Sequence, residues 1–253
     1  MWHNPRLMNL TANALYGVAV FIVLCIAVIA TVNSRLFPLH KINLQGDLAH
    51  VDATLVAAVL EGRVTGNFFG VDLQDVRDAL QDMPWVRRVH IRRQWPDTLV
   101  AVVEAHRPLA RWNDSRLVSV RGELFDGETA AALPRFTGPQ GSEATVTARF
   151  REFERLVGPL AMRITHLELS PRHAWQLRLA GEDGTELTLL LGREHHEQSA
   201  VERLARFVDV YPQTLGQFER RTAQVDLRYP NGFALRVPGI EKFESQRGKA
   251  GSA

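Results

Sequence analysis

The chain has 253 residues, of which 45% are hydrophobic and 23% charged, with a formal net charge of +2 at pH 7. That length allows one large or two small domains with real cores, and the apolar share excludes a disordered chain. So small a net charge gives no electrostatic case for nucleic acid as a partner, and a single cysteine, Cys25, excludes an internal disulfide framework.

From Ala14 to Val32 the sequence runs 19 residues without a charged side chain. As a helix it covers roughly 28 Å, close to the ~30 Å of a bilayer core. In lipid every backbone amide must bond within the segment, which leaves the helix as its form. A cleavable signal peptide is the competing reading, because Val28-Ile29-Ala30 offers small residues near a cut site. The apolar run, however, exceeds the roughly 7 to 15 residues of a signal core. Leu24, before Cys25, is too large for a lipoprotein site. Arg6 precedes the helix, while Arg35 and Lys41 come after it and weaken the positive-inside signal. Long domains translocate largely regardless of such charges. The expected layout is a cytoplasmic tail at 1–13, a transmembrane helix at 14–32, and the large remainder outside the cytoplasmic membrane.

Lys41 to Gln45 alternates apolar and polar residues before Gly46, as a short strand does. Asp52 is placed to cap a helix with Leu55, Val56, Val59 and Leu60 on one face and Gly62 at its end. Asp72 caps a second helix, whose Leu73, Val76, Leu80 and Met83 recur at spacings of three and four before Pro84. Two strands come next, Val86–Arg93 and Thr98–His106, around a turn at Trp95-Pro96-Asp97. Arg87, Arg88, Arg92 and Arg93 are expected on the solvated face of the first, and Trp85 and Trp95 are expected to pack. Strand, helix, helix, strand, strand predicts an α+β sandwich with helices on one sheet face.

A boundary is expected between Arg107 and Asn113. Beyond it, Leu117–Val120 reads as a strand before turns at Gly122 and Asp126-Gly127, and Leu133–Pro139 as an extended piece. Val146, Phe150, Phe153 and Val157 mark a helix from Ala144 to Val157, ended by Gly158-Pro159. Strands are expected at Ile164–Leu169, Trp175–Leu179 and Leu187–Leu191, then a helix at Ser199–Tyr211. Last comes a hairpin: Val225 and Leu227 lead to Tyr229, Pro230-Asn231-Gly232 turns, and Phe233, Leu235 and Val237 alternate on return. The polar stretch 239–253 is expected to form a mobile tail.

The order of elements at 37–106 resembles a POTRA domain. The string Met83-Pro84-Trp85-Val86-Arg87-Arg88-Val89, then Arg93-Gln94-Trp95-Pro96-Asp97, then Glu104-Ala105-His106-Arg107-Pro108-Leu109-Ala110-Arg111-Trp112, resembles the FtsQ/DivIB family of bacterial division proteins. Leu191-Gly192-Arg193, Arg203 through Pro212, and Val225-Asp226-Leu227-Arg228-Tyr229 extend the likeness over nearly the whole chain. It implies an α+β protein in which one transmembrane helix precedes a POTRA domain at 37–106 and a mixed β domain with two helices at 113–238. It further implies an inner-membrane, septal protein that bridges other division proteins through FtsB and FtsL. The tail here is shorter than in many members, which puts tail-mediated contacts in doubt.

Two other classes compete. An outer-membrane assembly or secretion component would carry a POTRA unit before a barrel, but no series of roughly ten-residue lipid-facing strands comes after it. A membrane-tethered enzyme could use His195-His196 beside Glu194 and Glu197, yet adjacent histidines on a helix cannot share one metal, and no second cluster has zinc spacing. No Gly-x-Ser-x-Gly elbow or phosphate-cradling glycine loop is present. Neither catalytic residues, metal nor cofactor are expected. The partner site is expected on the final hairpin, because its return strand ends the sheet in chain order and an open edge must be blunted or used. By position, Tyr229, Asn231, Gly232 and Phe233 form the docking edge and turn. From the resemblance, Arg193 and Arg228 are arginines that pair with partner acids, and FtsB, travelling with FtsL, is the chain that docks.

Overall fold

The computed structural model describes residues 5–32, 38–39, 41–51, 53–61, 67–194, 198–213, 222–229 and 232–236. Asp52 and Gly62, the expected caps of the first helix after the membrane span, lie outside these residues, as do the 239–253 tail, Asn231 and the His195-His196 pair. The fold is mixed α+β and divides into two compact units, Met1–Ala105 and His106–Ala253.

Helix α1 spans Pro5–Val32, so the helix begins well before the apolar run. Pro5 suits the first helical position, where its missing N–H costs nothing. Within α1, Asn9–Thr31 is long and apolar enough to cross a membrane. Its side chains are bare, Leu15 at 75% and Phe21 at 67% exposure, which fits a single-pass membrane protein.

In the rest of the first unit, strand β1 (Lys41–Gly46) is followed by α2 (Ala53–Leu60), α3 (Leu73–Gln81), β2 (Val86–Gln94) and β3 (Thr98–Ala105). The sheet order is β1-β3-β2, with β1 parallel and β2 antiparallel to β3. Asp72 caps α3 as expected, accepting from the backbone N–H of Gln74 at 2.8 Å and of Asp75 at 3.3 Å. Val56, Leu60, Val76 and Leu80 of the helices meet Val89, Leu99, Ala101 and Val103 of the sheet in one core.

Three sequence expectations change here. Leu55 does not join the α2 face; it is exposed, leaving Val56 and Leu60 to carry the burial. The arginines of β2 are not a uniformly solvated face. Arg88 and Arg92 are exposed, but Arg87 Nη1 pairs with Glu104 at 2.9 Å, and Arg93 donates to the carbonyls of Phe68, Phe69 and Val71 at 2.9, 3.2 and 2.7 Å. Such charge-assisted bonds fix a loop that has no ladder of its own. Trp85 packs, stacked on His50 at 4.1 Å, but Trp95 does not: it stands 73% exposed in the β2–β3 turn.

The second unit holds β4 (Pro108–Trp112), β5 (Arg116–Ser119), β6 (Leu124–Phe125), β7 (Arg135–Thr137), α4 (Glu143–Val157), β8 (Met162–Leu169), β9 (Ala174–Gly181), β10 (Glu186–Arg193), α5 (Ala200–Val210), β11 (Thr222–Asp226) and β12 (Ala234–Arg236). Residues 108–112, read from sequence as boundary, are thus a strand of the second sheet, paired with both β5 and β7. The nine strands run β12-β11-β10-β9-β8-β7-β4-β5-β6. Three neighbouring pairs are parallel, β4 with β7, β7 with β8 and β10 with β11; a helix connects each of the last two, since parallel neighbours need a long crossover. Both helices feed one core, in which Phe150, Phe153, Leu204 and Phe207 cover Leu167, Leu177, Leu189 and Val225.

Candidate partner-docking edge

Strand β12 occupies one end of the nine-strand order and pairs with β11 through Gln224↔Arg236, Val225↔Leu235 and Asp226↔Ala234. It is three residues long, all exposed, with Leu235 at 42%. The ladder stops earlier than sequence alternation suggests. Strand β11 ends at Asp226, and the N–H of Leu227, 2% exposed, still donates to Leu190 O of β10 at 2.9 Å, continuing the parallel β10–β11 pairing past the point where the pairing with β12 stops.

Arg228 is not a free cation awaiting a partner. Its guanidinium grips Asp226, with Nε at 2.8 and 3.0 Å from the two carboxylate oxygens and Nη2 at 2.5 Å from Oδ2. The fork nonetheless keeps 60% side-chain exposure, so one side faces solvent. Hydrogen bonds from Arg228 hold the Asp226 carboxyl below its ordinary value of 3.8, against the upward push of burial. The carboxylate in turn pushes the Arg228 guanidinium up. The stem of Arg228 lies over Gly192, where a Cβ would come within 2.8 Å of its Cγ. Gly192 also has φ +74 and marks a register shift in β10. Glycine is therefore required twice over, by conformation and by space.

A buried arginine supports this corner. Arg203 on α5, 3% exposed, donates to Leu191 O, to Arg193 O at 2.7 Å and to Gln198 O at 2.7 Å. It ties the end of β10 to the start of α5, which a capping box between Ser199 and Glu202 also fixes. Sequence reading gives neither Arg203 nor Asp226 a part in the site. A lone arginine on a helix reads as solvated, and an aspartate at a strand end reads as a turn residue.

The expected site residues therefore separate. Arg193 and Arg228 come to the same end of β10, and Arg193 is exposed there. Tyr229 is 54% exposed, and Gly232 is also open to solvent. Phe233 turns inward, half-buried against the core, with its ring 5.8 Å from that of Phe207 in a T-shaped contact. Asn231 lies outside the described residues. Among the described residues no three His, Cys, Asp or Glu side chains gather as a metal site.

The sequence matches two family models: the FtsQ-type POTRA domain over residues 37–105, and the C-terminal domain of cell division protein FtsQ/DivIB over residues 110–228. It is 38% identical over 253 residues to cell division protein FtsQ of Burkholderia pseudomallei, covering 98% of this chain and 100% of that one. The chain belongs to the FtsQ/DivIB family. Within that family, FtsQ of Bordetella pertussis is 36% identical over 271 residues, covering 99% of this chain and 98% of its own. FtsQ of Coxiella burnetii is 34% identical over 218 residues, with 85% and 86% covered. The FtsQ/DivIB C-terminal match ends at 228, so the last strand and its exposed Leu235 lie beyond it.

The Asp226–Arg228 pair makes the corner sensitive to acid. Because the folded carboxyl titrates below the unfolded one, the pair stabilises the fold above the ordinary carboxylate pKa of 3.8, and this contribution is lost as pH falls through the lower folded value. Arg228→Ala is expected to lower stability on the neutral side, by no more than about 1 kcal/mol for so exposed a pair, and to converge with the parent as pH falls below the folded value, which flattens the acid limb. Urea unfolding of both proteins across the acid range checks this.

Proposed function

We propose that this chain is a non-catalytic scaffold of the division machinery. On this reading it is anchored in the inner membrane at the septum by residues 14–32, with tail 1–13 in the cytoplasm. The POTRA domain and the β domain, drawn from sequence at 37–106 and 113–238, lie in the periplasm. The β domain binds FtsB, and with it FtsL, by adding a strand to β12. The observation that carries this reading is the exposed edge strand Ala234–Arg236, flanked by the exposed Tyr229. An edge strand offers main-chain donors and acceptors to an incoming peptide, and alternate side chains then confer specificity. Arg193 and the solvent side of Arg228 supply rim charges for partner acids, each worth no more than about 1 kcal/mol.

A tagged chain purified from detergent-solubilised membranes is expected to bring down FtsB and FtsL. A reporter enzyme active only outside the cytoplasm, fused after Trp112, is expected to be active and to stay in the membrane fraction. Recovery of the tagged chain without FtsB, or release of an active soluble fusion, contradicts the reading.

A further inference from the structure

Among the described tryptophans, Trp85, Trp112 and Trp175 are buried at 6%, 3% and 4%, whereas Trp95 is 73% exposed. Its neighbours are polar: Arg92, Arg93 and Gln94 precede it and all are exposed. A ring preceded by exposed charged and polar residues, with the exposed Phe69 on the loop that Arg93 holds, differs from a protein-interface core, which is depleted in charge. It does match the residues that sit at lipid headgroups, where an amphipathic ring and flanking Lys or Arg meet anionic lipid.

The chain's own path brings this tip toward the membrane. Lys41 pairs with Thr98 in the parallel β1–β3 register, and its N–H donates to Asp97 O at 3.4 Å. The β2–β3 turn and the start of β1 therefore share one end of the sheet, which also carries the exposed Lys41. Pro38 is already fixed to this unit by its bridge to Asn67, while α1 ends at Val32. The intervening residues 33–37 can span at most about 20 Å. The end of the sheet that bears Trp95 is thus the end held on a short leash to the bilayer.

We propose that Trp95, flanked by Lys41 and Arg92, is an interfacial anchor that seats the three-stranded unit on the lipid surface beside its own transmembrane helix. The ring lies in the headgroup layer, about 5–7 Å thick on each side of the hydrocarbon core, and the cations face lipid phosphates. This contact limits how freely the unit swings on its leash.

The full-length chain can test this, because its only cysteine, Cys25, can be replaced. In a Cys25→Ala background, Gln94→Cys, beside the intact Trp95, and, at the far end of β1, Asp47→Cys each receive one environment-sensitive fluorophore. The proteins are reconstituted into phosphatidylethanolamine and phosphatidylglycerol vesicles containing a lipid with a headgroup-region quencher. Quenching at position 94 is expected to exceed that at position 47 severalfold, and Trp95→Ala, or Lys41→Glu with Arg92→Glu, is expected to reduce it. Equal, weak quenching at both positions overturns the proposal. Shielding of position 94 from aqueous iodide without lipid quenching also overturns it, and assigns this turn to a protein contact.

Discussion

Replacing Arg203 with alanine is expected to destabilise the second unit by about 3 kcal/mol, out of a total of about 5–15 kcal/mol for a domain. The guanidinium is 3% exposed and satisfies carbonyls of Leu191, Arg193 and Gln198 at once. Hydrogen bonds to a charged group contribute more than neutral ones, and their removal leaves buried acceptors without donors. Lysine rescues the position only in part: its ammonium is a point charge on one atom, whereas the planar fork of arginine reaches separated acceptors. Urea unfolding of the chain in detergent is expected to show a lower midpoint for Arg203→Ala and an intermediate one for Arg203→Lys. Since the same side chain fixes the end of β10, beside which Arg228 lies on Gly192, both variants should also loosen the docking corner. A midpoint within about 0.5 kcal/mol of the parent would show that water replaces the guanidinium without loss.

Tyr229→Ala and Phe233→Ala are expected to fail in different ways. Tyr229 is 54% exposed, so its truncation should change stability by no more than about 0.5 kcal/mol. If the edge docks FtsB as proposed, the same change removes an aromatic anchor and weakens binding by about 2 kcal/mol, roughly thirtyfold. Phe233 packs on Phe207 in the core, and its loss should cost about 2 kcal/mol of stability, with weaker binding only as a consequence. Isothermal titration with the extracytoplasmic part of FtsB, paired with unfolding midpoints, separates the two. Full affinity in a well-folded Tyr229→Ala protein would remove this residue from the site.

These two aromatics also show where sequence is informative. Helix α3 is legible because cap and stripe are local: Asp72 precedes Leu73, Val76 and Leu80 at helical spacing, and all the information lies within a dozen residues. The last hairpin is legible as a hairpin, but not in its detail. Alternation suggests that Tyr229 and Phe233 act alike, whereas the β11–β12 ladder ends at Asp226↔Ala234 while Leu227 stays bonded to the Leu190 carbonyl of β10, so the residues after it no longer follow the alternation. The parallel pairing of β10 with β11 brings that carbonyl into place across a long crossover, which no local pattern encodes. Trp95 escapes a sequence reading for a related reason, since tryptophan is usually buried and only the turn's position at the sheet's end leaves it bare. Arg203 is invisible in sequence because burial of a charge depends on three carbonyls from two other segments.

Hydrogen exchange at the backbone of β12 tests the proposed docking most directly, because it reads the edge itself. Amides of Ala234, Leu235 and Arg236 that face away from β11 should exchange quickly in the chain alone. On adding the extracytoplasmic part of FtsB, strand addition is expected to slow them at least tenfold, with little change on the far edge at Leu124 and Phe125. Saturating FtsB that leaves the β12 amides as fast as before would contradict edge docking, whatever the family likeness implies.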